Sequence, residues 1–413
     1  MNKTKIDLRI LLFFIWPFGA FLTTFFSISS RRSNLIYILF TTLFGYAFSF
    51  IDTSADSYRV ALVFNEFDYR GIPFIFNDYL SGYHTDLYRY FLYSLVKGVT
   101  YNPKILFAFF GFVFGIFSYK SLRLFFNVKG LEKGISIFIL CIIFIALNSV
   151  VNINGARFNT AAIICFCSVI NLIAYNKKIW ILGLLSTFLF HFSFLFIIPF
   201  LLLMYVFRER LFTKSRTSTW IFILFVVTFL FSLISESNLI NLNVVSRLLP
   251  ISMANKVDIY NSSDITALYA DRGKTVFHRV SNTFSYISRC YIFFFILRIK
   301  SILKNTTLKN PELQRLFNFV LMFLSVTFIL SIFPSGGRFL AISTQVFFFF
   351  LIRFYVTFKS NVLQKYIWGL LPFYAFLIAF NLFYLCIVLT SSTIWYGNLF
   401  WIIYEGIGYT FVY

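Results

Sequence analysis

Acidic side chains are scarce in this chain. Fifteen Asp and Glu stand against 36 Lys and Arg, and charged residues of all kinds make up only 12% of the sequence. A water-soluble domain carries about twice that share, so the deficit excludes an ordinary soluble enzyme. Cysteine is also rare. Cys141, Cys165, Cys167, Cys290 and Cys386 each sit inside an apolar run. That excludes a disulfide framework or a thiolate metal site and fits small buried apolar residues. There is no Walker A loop, no His-Glu-x-x-His, no Cys-x-x-Cys and no Gly-x-Ser-x-Gly elbow. ATP-driven transport, zinc proteolysis and serine hydrolysis thereby lose their usual hardware, and neither a metal nor a cofactor is expected. The first apolar run has no small-residue cleavage site after it, so no cleavable signal peptide is expected. Internal repeats and a second soluble domain are absent as well.

What is present is apolar and aromatic. The 413 residues are 59% hydrophobic, include 62 Phe and have a mean hydropathy of +0.81. So much Phe cannot all be hidden from water in a soluble core, and lipid must be the solvent for much of the surface. The net charge of +21 sits in short clusters between apolar runs. Clusters of that kind read as topology signals beside anionic head groups, not as a nucleic-acid face. The expected fold is all-α: one polytopic membrane domain over residues 1–413, with about 12 transmembrane helices (range 11–13) of roughly 17–25 residues each. Spans are expected near 8–27, 34–51, 105–119, 134–151, 157–175, 179–192, 193–207, 219–235, 284–298, 315–333, 338–353 and 366–388. The tail 394–413 reads equally as a further span or as an interfacial helix.

Residues 179–207 need an argument. As one straight helix they would run about 43 Å, against ~30 Å of hydrocarbon. A single crossing would also separate Lys177 and Lys178 from Arg208, Arg210, Lys214 and Arg216. Two short helices turning back near His191 return both clusters to one side, as the positive-inside tendency requires. The basic clusters then alternate consistently, and most acids gather opposite. One conflict is left: Lys3, Lys5 and Arg9 place the N-terminus on the same side as Arg31 and Arg32. Both can hold only if the run broken at Trp16-Pro17 fails to cross.

Two connections on the acid-bearing side, about 52–104 and 236–283, are too long to be simple turns. The first contains an amphipathic piece, Asp86 to Val96, expected to lie along the membrane surface. Arg157 follows Asn154-Gly155-Ala156, and Arg338 follows Gly336-Gly337, each at the start of a span. A helix N-terminus with an adjoining arginine makes an anion site, phosphate above all; an arginine snorkelling to the interface would account for either one singly. His191 sits at the hairpin turn, where a structural histidine competes with a catalytic one. Asp56, just beyond a span, suits a general base or a solvated cap.

Several pieces of the chain, in order, resemble the Wzy-type polymerases of bacterial O-antigen and exopolysaccharide, in their EpsG-like branch. They are Asp56-Ser-Tyr-Arg59, Thr85-Asp-Leu-Tyr88, Tyr101-Asn-Pro103 and Asn154-Gly-Ala-Arg157 with Ala161-Ala162. Lys177-Lys178, Leu189-Phe-His-Phe-Ser193 and Gly336-Gly-Arg-Phe339 follow. The ordered set covers about 52–352. The Gly-x-Arg that precedes the first-loop aspartate in that family is replaced here by Phe48-Ser-Phe-Ile51. The resemblance implies a GT-C-like, metal-independent glycosyltransferase of the bacterial inner membrane, with both long loops periplasmic. It would move a growing glycan from undecaprenyl pyrophosphate onto a lipid-linked repeat unit, in contact with membrane lipid and a chain-length regulator, without nucleic acid. On that reading Arg157, Arg338 and Arg279 meet pyrophosphate, and His191 and Asp56 lie at the reaction centre. Tyr58, Arg59 and Asp86 then meet the acceptor sugar. A lipid-linked oligosaccharide flippase, an O-antigen ligase and a membrane acyltransferase are the alternatives.

Overall fold

The computed structural model describes residues 8–53, 55–128, 134–213, 215–233, 276–305, 310–332, 336–383, 388–407 and 409. Most of the expected 236–283 loop and Cys386 lie outside them, as do Lys3 and Lys5. The described residues are helical throughout, with one isolated backbone bridge between Phe48 and Thr390.

In chain order the helices are α1 (Leu8–Ile15), α2 (Pro17–Thr24), α3 (Arg31–Tyr46), α4 (Asp56–Glu66), α5 (Ile72–Leu80), α6 (Leu87–Lys97), α7 (Pro103–Phe126) and α8 (Ile135–Leu147). Next come α9 (Ala156–Ile173), α10 (Trp180–Phe190), α11 (Ile198–Val206), α12 (Arg208–Thr213) and α13 (Ser215–Leu233). The last are α14 (Val276–Asn305), α15 (Pro311–Leu330), α16 (Arg338–Phe358), α17 (Asn361–Phe383), α18 (Thr393–Tyr396) and α19 (Leu399–Gly406). Local chemistry sets several of these boundaries. Asn102 and Asn310 cap α7 and α15, each followed by a proline at the first helical position, where the missing N–H costs nothing. Lys359 stops α16 in the left-handed conformation at φ 39°.

Seven described helices are long and apolar enough to cross a membrane: α7, α8 with the turn after it, α9, α13, α15, α16 and α17. The protein is a polytopic membrane protein. The other expected crossings take different forms. α3 has 16 residues, and α14 has 30 but carries Arg289, Arg298, Lys300 and Lys304. The expected first span, 8–27, is two eight-residue helices broken at Trp16. They fold back on each other, because Arg9 at the start of α1 donates to the hydroxyls of Ser27 and Ser33 beyond the end of α2. The run does not cross, and Arg9 lies with Arg31 and Arg32. For Arg9 the conflict between the two N-terminal charge clusters is thereby removed; Lys3 and Lys5 lie outside the described residues.

The hairpin expected over 179–207 is present. His191 breaks the helix in an extended conformation (φ −153°), a short 3-10 turn follows, and α11 runs back. Arg208 then donates to Asn176 at 2.8 Å, which brings the two basic clusters together. Among the described residues of the tail, 394–407 and 409, no helix is long enough to span, and the segment is tied to the rest of the protein. α19 is eight residues long, Trp16 Nε1 donates to the Trp395 carbonyl at 2.6 Å, and Asn102 Nδ2 donates to the Gly406 carbonyl at 2.9 Å. Helices α1, α2, α18 and α19, all short, therefore pack together beside α3 and α7.

The tightest helix pair is α3 with α7. Gly45 lies against the backbone of Phe107, Gly111 against the backbone of Thr41, and Gly115 against the Thr41 side chain. Tyr37 and Ser118 share a hydrogen bond of 2.8 Å farther along. These contacts fix an antiparallel pair at small-residue spacing, the usual route to close helix approach where no water drives association. The Phe excess fills the interior as well as the rim: Phe347 to Phe350 on α16 are all fully buried, while Trp220, Leu182 and Phe26 are exposed. Gly111→Ala and Gly115→Ala should each lower the unfolding midpoint of the detergent-solubilised protein, by the ~1–3 kcal/mol typical of overpacking. Gly134→Ala, whose added methyl meets nothing within 4 Å, should leave the midpoint unchanged.

Candidate functional site

Helices α9 and α16 run parallel, and both begin at one cavity of about 340 Å³. Asp56, Arg59, Arg89, Arg157, His191 and Arg338 all line it, together with the Asn154–Phe158 turn. The far ends of the same two helices, at Ile173 and Arg353, meet again at a second cavity. The rise from Arg157 to Ile173 is about 24 Å, and from Arg338 to Arg353 about 22 Å. The first cavity therefore lies at the end of the bundle opposite the basic clusters.

Three rings fix this convergence from below. Phe158, Phe194 and Phe339 pack with centroids 5.4–5.5 Å apart and are buried. Each sits next to, or within three residues of, a cavity residue: Arg157, His191 and Arg338. The aromatic trio thus sets the spacing of three polar groups drawn from separate elements.

Asp86 supports the site from behind. It is fully buried, and one carboxylate oxygen accepts from Arg157 while the other accepts from the backbone N–H of Phe192 at 3.1 Å. One acid therefore orients the arginine of α9 and the turn bearing His191. Asp86, expected at the acceptor sugar, is enclosed and does not itself line the cavity. Asn154 adds a second tie. Its Oδ1 accepts from the N–H of Ser57 at 2.8 Å, capping α4, whose own N-cap residue, Ala55, has no side chain able to do so. That bond brings Asp56 and Arg59 to the cavity, with the two side chains 3.9 Å apart and each about half exposed.

The amphipathic piece expected on the membrane surface is α6, and its apolar face is covered by protein. Tyr88 packs on Phe110 of α7 and Phe190 of α10, and the Tyr93 hydroxyl donates to the Val60 carbonyl at 3.0 Å. This arrangement carries Arg89 to the cavity wall, a residue to which the sequence reading gave no role. The available signal was its position three residues after Asp86 on a helix, the same side of one turn. Arg89 lies 4.5 Å from the centroid of the Tyr90 ring and donates to the Tyr90 hydroxyl at 2.5 Å. Its Nε is buried without a partner among the described residues. Tyr58 is half-buried against the apolar core rather than on the cavity wall. The Arg279 side chain lies outside the described residues.

Four guanidinium groups thus face one carboxylate on the wall and a second behind Arg157, an excess of two positive charges. The helix ends add to it. Neither Gly155 nor Gly337 supplies a side-chain cap, so the first N–H groups of α9 and α16 point their dipoles into the same region. Arg338 is exposed, 5.8 Å from the Phe158 ring centroid, with no ion-pair partner among the described residues. The imidazole of His191 has its Nδ1 within 3.3 Å of the Ser193 N–H and 2.8 Å of its hydroxyl. Accepting the backbone N–H there places the proton of the neutral ring on Nε2. His191 is then arranged as a donor, and Asp56 is the acceptor on the wall. Such a cavity suits a ligand with two negative charges and adjoining hydroxyl groups.

Asp86→Ala should destabilise the protein by about 3 kcal/mol, the low end for breaking a buried pair, since Arg157 keeps some solvent contact. Adding Arg157→Met should recover part of that loss in detergent unfolding. Strictly additive effects would mean that the two side chains are not coupled. No family model, no curated protein and no solved structure matches the chain.

Proposed function

We propose that the protein is a polyprenyl-pyrophosphate-dependent glycosyltransferase that polymerises lipid-linked repeat units of a surface polysaccharide such as O-antigen. On this reading it is a GT-C-like protein of the bacterial inner membrane. The basic clusters face the cytoplasm by the positive-inside tendency, and the arginine cavity faces the periplasm. The observation that carries the reading is the meeting of Arg157 and Arg338, from helices far apart in sequence, at one cavity with an excess of two positive charges. A lipid diphosphate diester carries two negative charges, and its tail belongs in the hydrocarbon beside the cavity.

The chemistry follows from the charges. The acceptor hydroxyl attacks the anomeric carbon of the growing glycan, and the carbon–oxygen bond to pyrophosphate breaks. Negative charge builds on the departing phosphate oxygen, where Arg157, Arg338, Arg89 and two helix N-termini favour it more in the transition state than in the ground state. Arg157 is held in place by Asp86, whereas Arg338 is exposed and able to follow the leaving group. The proton of the acceptor hydroxyl passes to Asp56, and the Nε2–H of His191 donates to a substrate oxygen. Arg59, beside Asp56, orients the acceptor sugar.

Purified protein given a defined lipid-diphosphate repeat unit should produce longer chains. Arg157→Ala and Arg338→Ala should each slow that reaction by about 10²–10³-fold, the usual cost of removing one charge-stabilising donor. Cells carrying either variant should show single capped repeats although the protein is inserted. Ladders of normal length in both would remove the proposal.

A further inference from the structure

The second cavity lies at the basic end, between the α9–α10 turn, α12, α15 and α16, and has a volume of about 290 Å³. Arg208, Arg315 and Arg353 line it, with Glu209 and Glu312. We propose that it binds the phosphodiester head group of a singly charged anionic membrane lipid.

The arrangement of charge is the first argument. The arginine side chains are mostly covered, at 17%, 29% and 28% exposure, whereas Glu209 and Glu312 are 58% and 79% exposed. The cations form the inside of the cavity and the acids its rim. Three guanidinium groups against two carboxylates leave one positive charge over, which matches one phosphodiester. The pairing is also incomplete. Glu209 is shared between Arg315 at 2.8 Å and Arg208 at 3.4 Å, Arg353 and Glu312 are 3.9 Å apart, and Arg315 Nε is buried without a hydrogen-bond partner among the described residues.

Position is the second argument. The cavity stands about 22–24 Å along α9 and α16 from the arginine site, a separation comparable with the ~30 Å hydrocarbon core of a bilayer. Leu203, Val206 and Phe207 lead up to Arg208, and all three are exposed. They offer an acyl chain an apolar track that ends at the guanidinium groups. Basic pockets between membrane helices on the cytoplasmic side are where lipid phosphates are held. Arg208 also closes the α10–α11 hairpin through Asn176, so a lipid seated here braces the element whose other end presents His191.

The test uses the full-length protein, delipidated in a neutral detergent. Phosphatidylglycerol, phosphatidylcholine and sodium phosphate are compared at equal phosphate concentration by native mass spectrometry and unfolding midpoint. Phosphatidylglycerol should stay bound and raise the midpoint, and the other two should not. Arg353→Gln should weaken phosphatidylglycerol binding by about tenfold, the size of one charge-assisted hydrogen bond. Glu312→Gln, at a rim position that is 79% exposed, should strengthen it. An equal shift with sodium phosphate would make this a free-phosphate site and overturn the lipid assignment. Unchanged phosphatidylglycerol binding in Glu312→Gln, or in folded Arg353→Gln, would overturn the site itself.

Discussion

A carboxylate with no access to water needs a cation against it, and Asp86 has Arg157. Much of the upper half of the molecule depends on that pair. Because Asp86 also accepts from the backbone at Phe192, the long first connection, helix α9 and the His191 turn are held at one point. An isolated charge in a low-dielectric interior is costly, and a paired one is tolerable only when its remaining hydrogen bonds are satisfied. Asp86 meets that condition with both oxygens. The arrangement leaves the other arginines of the cavity less constrained, Arg338 most of all.

The two cavities solve one problem in two ways. At each end of α9 and α16, guanidinium groups from separate elements converge where helices emerge from the apolar layer. At the basic end two rim acids against three arginines leave one positive charge over; at the opposite end two acids against four arginines leave two. The first turns of α9 and α16 add positive character to the arginine cavity, while at the other cavity the last turn of α9 is opposed by the first turn of α15.

How much of this could be read in the sequence depends on whether charge or packing decided the matter. The reversal at His191 was legible, since leaving Lys177 and Arg208 on opposite sides would have broken the pattern of basic clusters. The broken first run was legible in the same way, as a conflict between two clusters that only a non-crossing segment could remove. The position of Arg157 and Arg338 at the starts of two apolar runs was legible, although a snorkelling arginine accounts for either one singly; their meeting at one cavity was not. What could not be read was contact between distant elements. Asp86 looked like a loop acid and proved to be fully enclosed. Arg89 lay on a helix whose amphipathic pattern is the same whether lipid or α7 and α10 cover its apolar face. The bond between Asn154 and Ser57 has no local signature at all.

The meeting of Trp16 with the carbonyl of Trp395 spans 379 positions of the chain. The α1–α2 pair is too short to reach across the bilayer, and its packing partners α18 and α19 lie far along the chain. Because a chain is made from its amino end, α1 and α2 meet these partners only after residues 379 positions later have been synthesised.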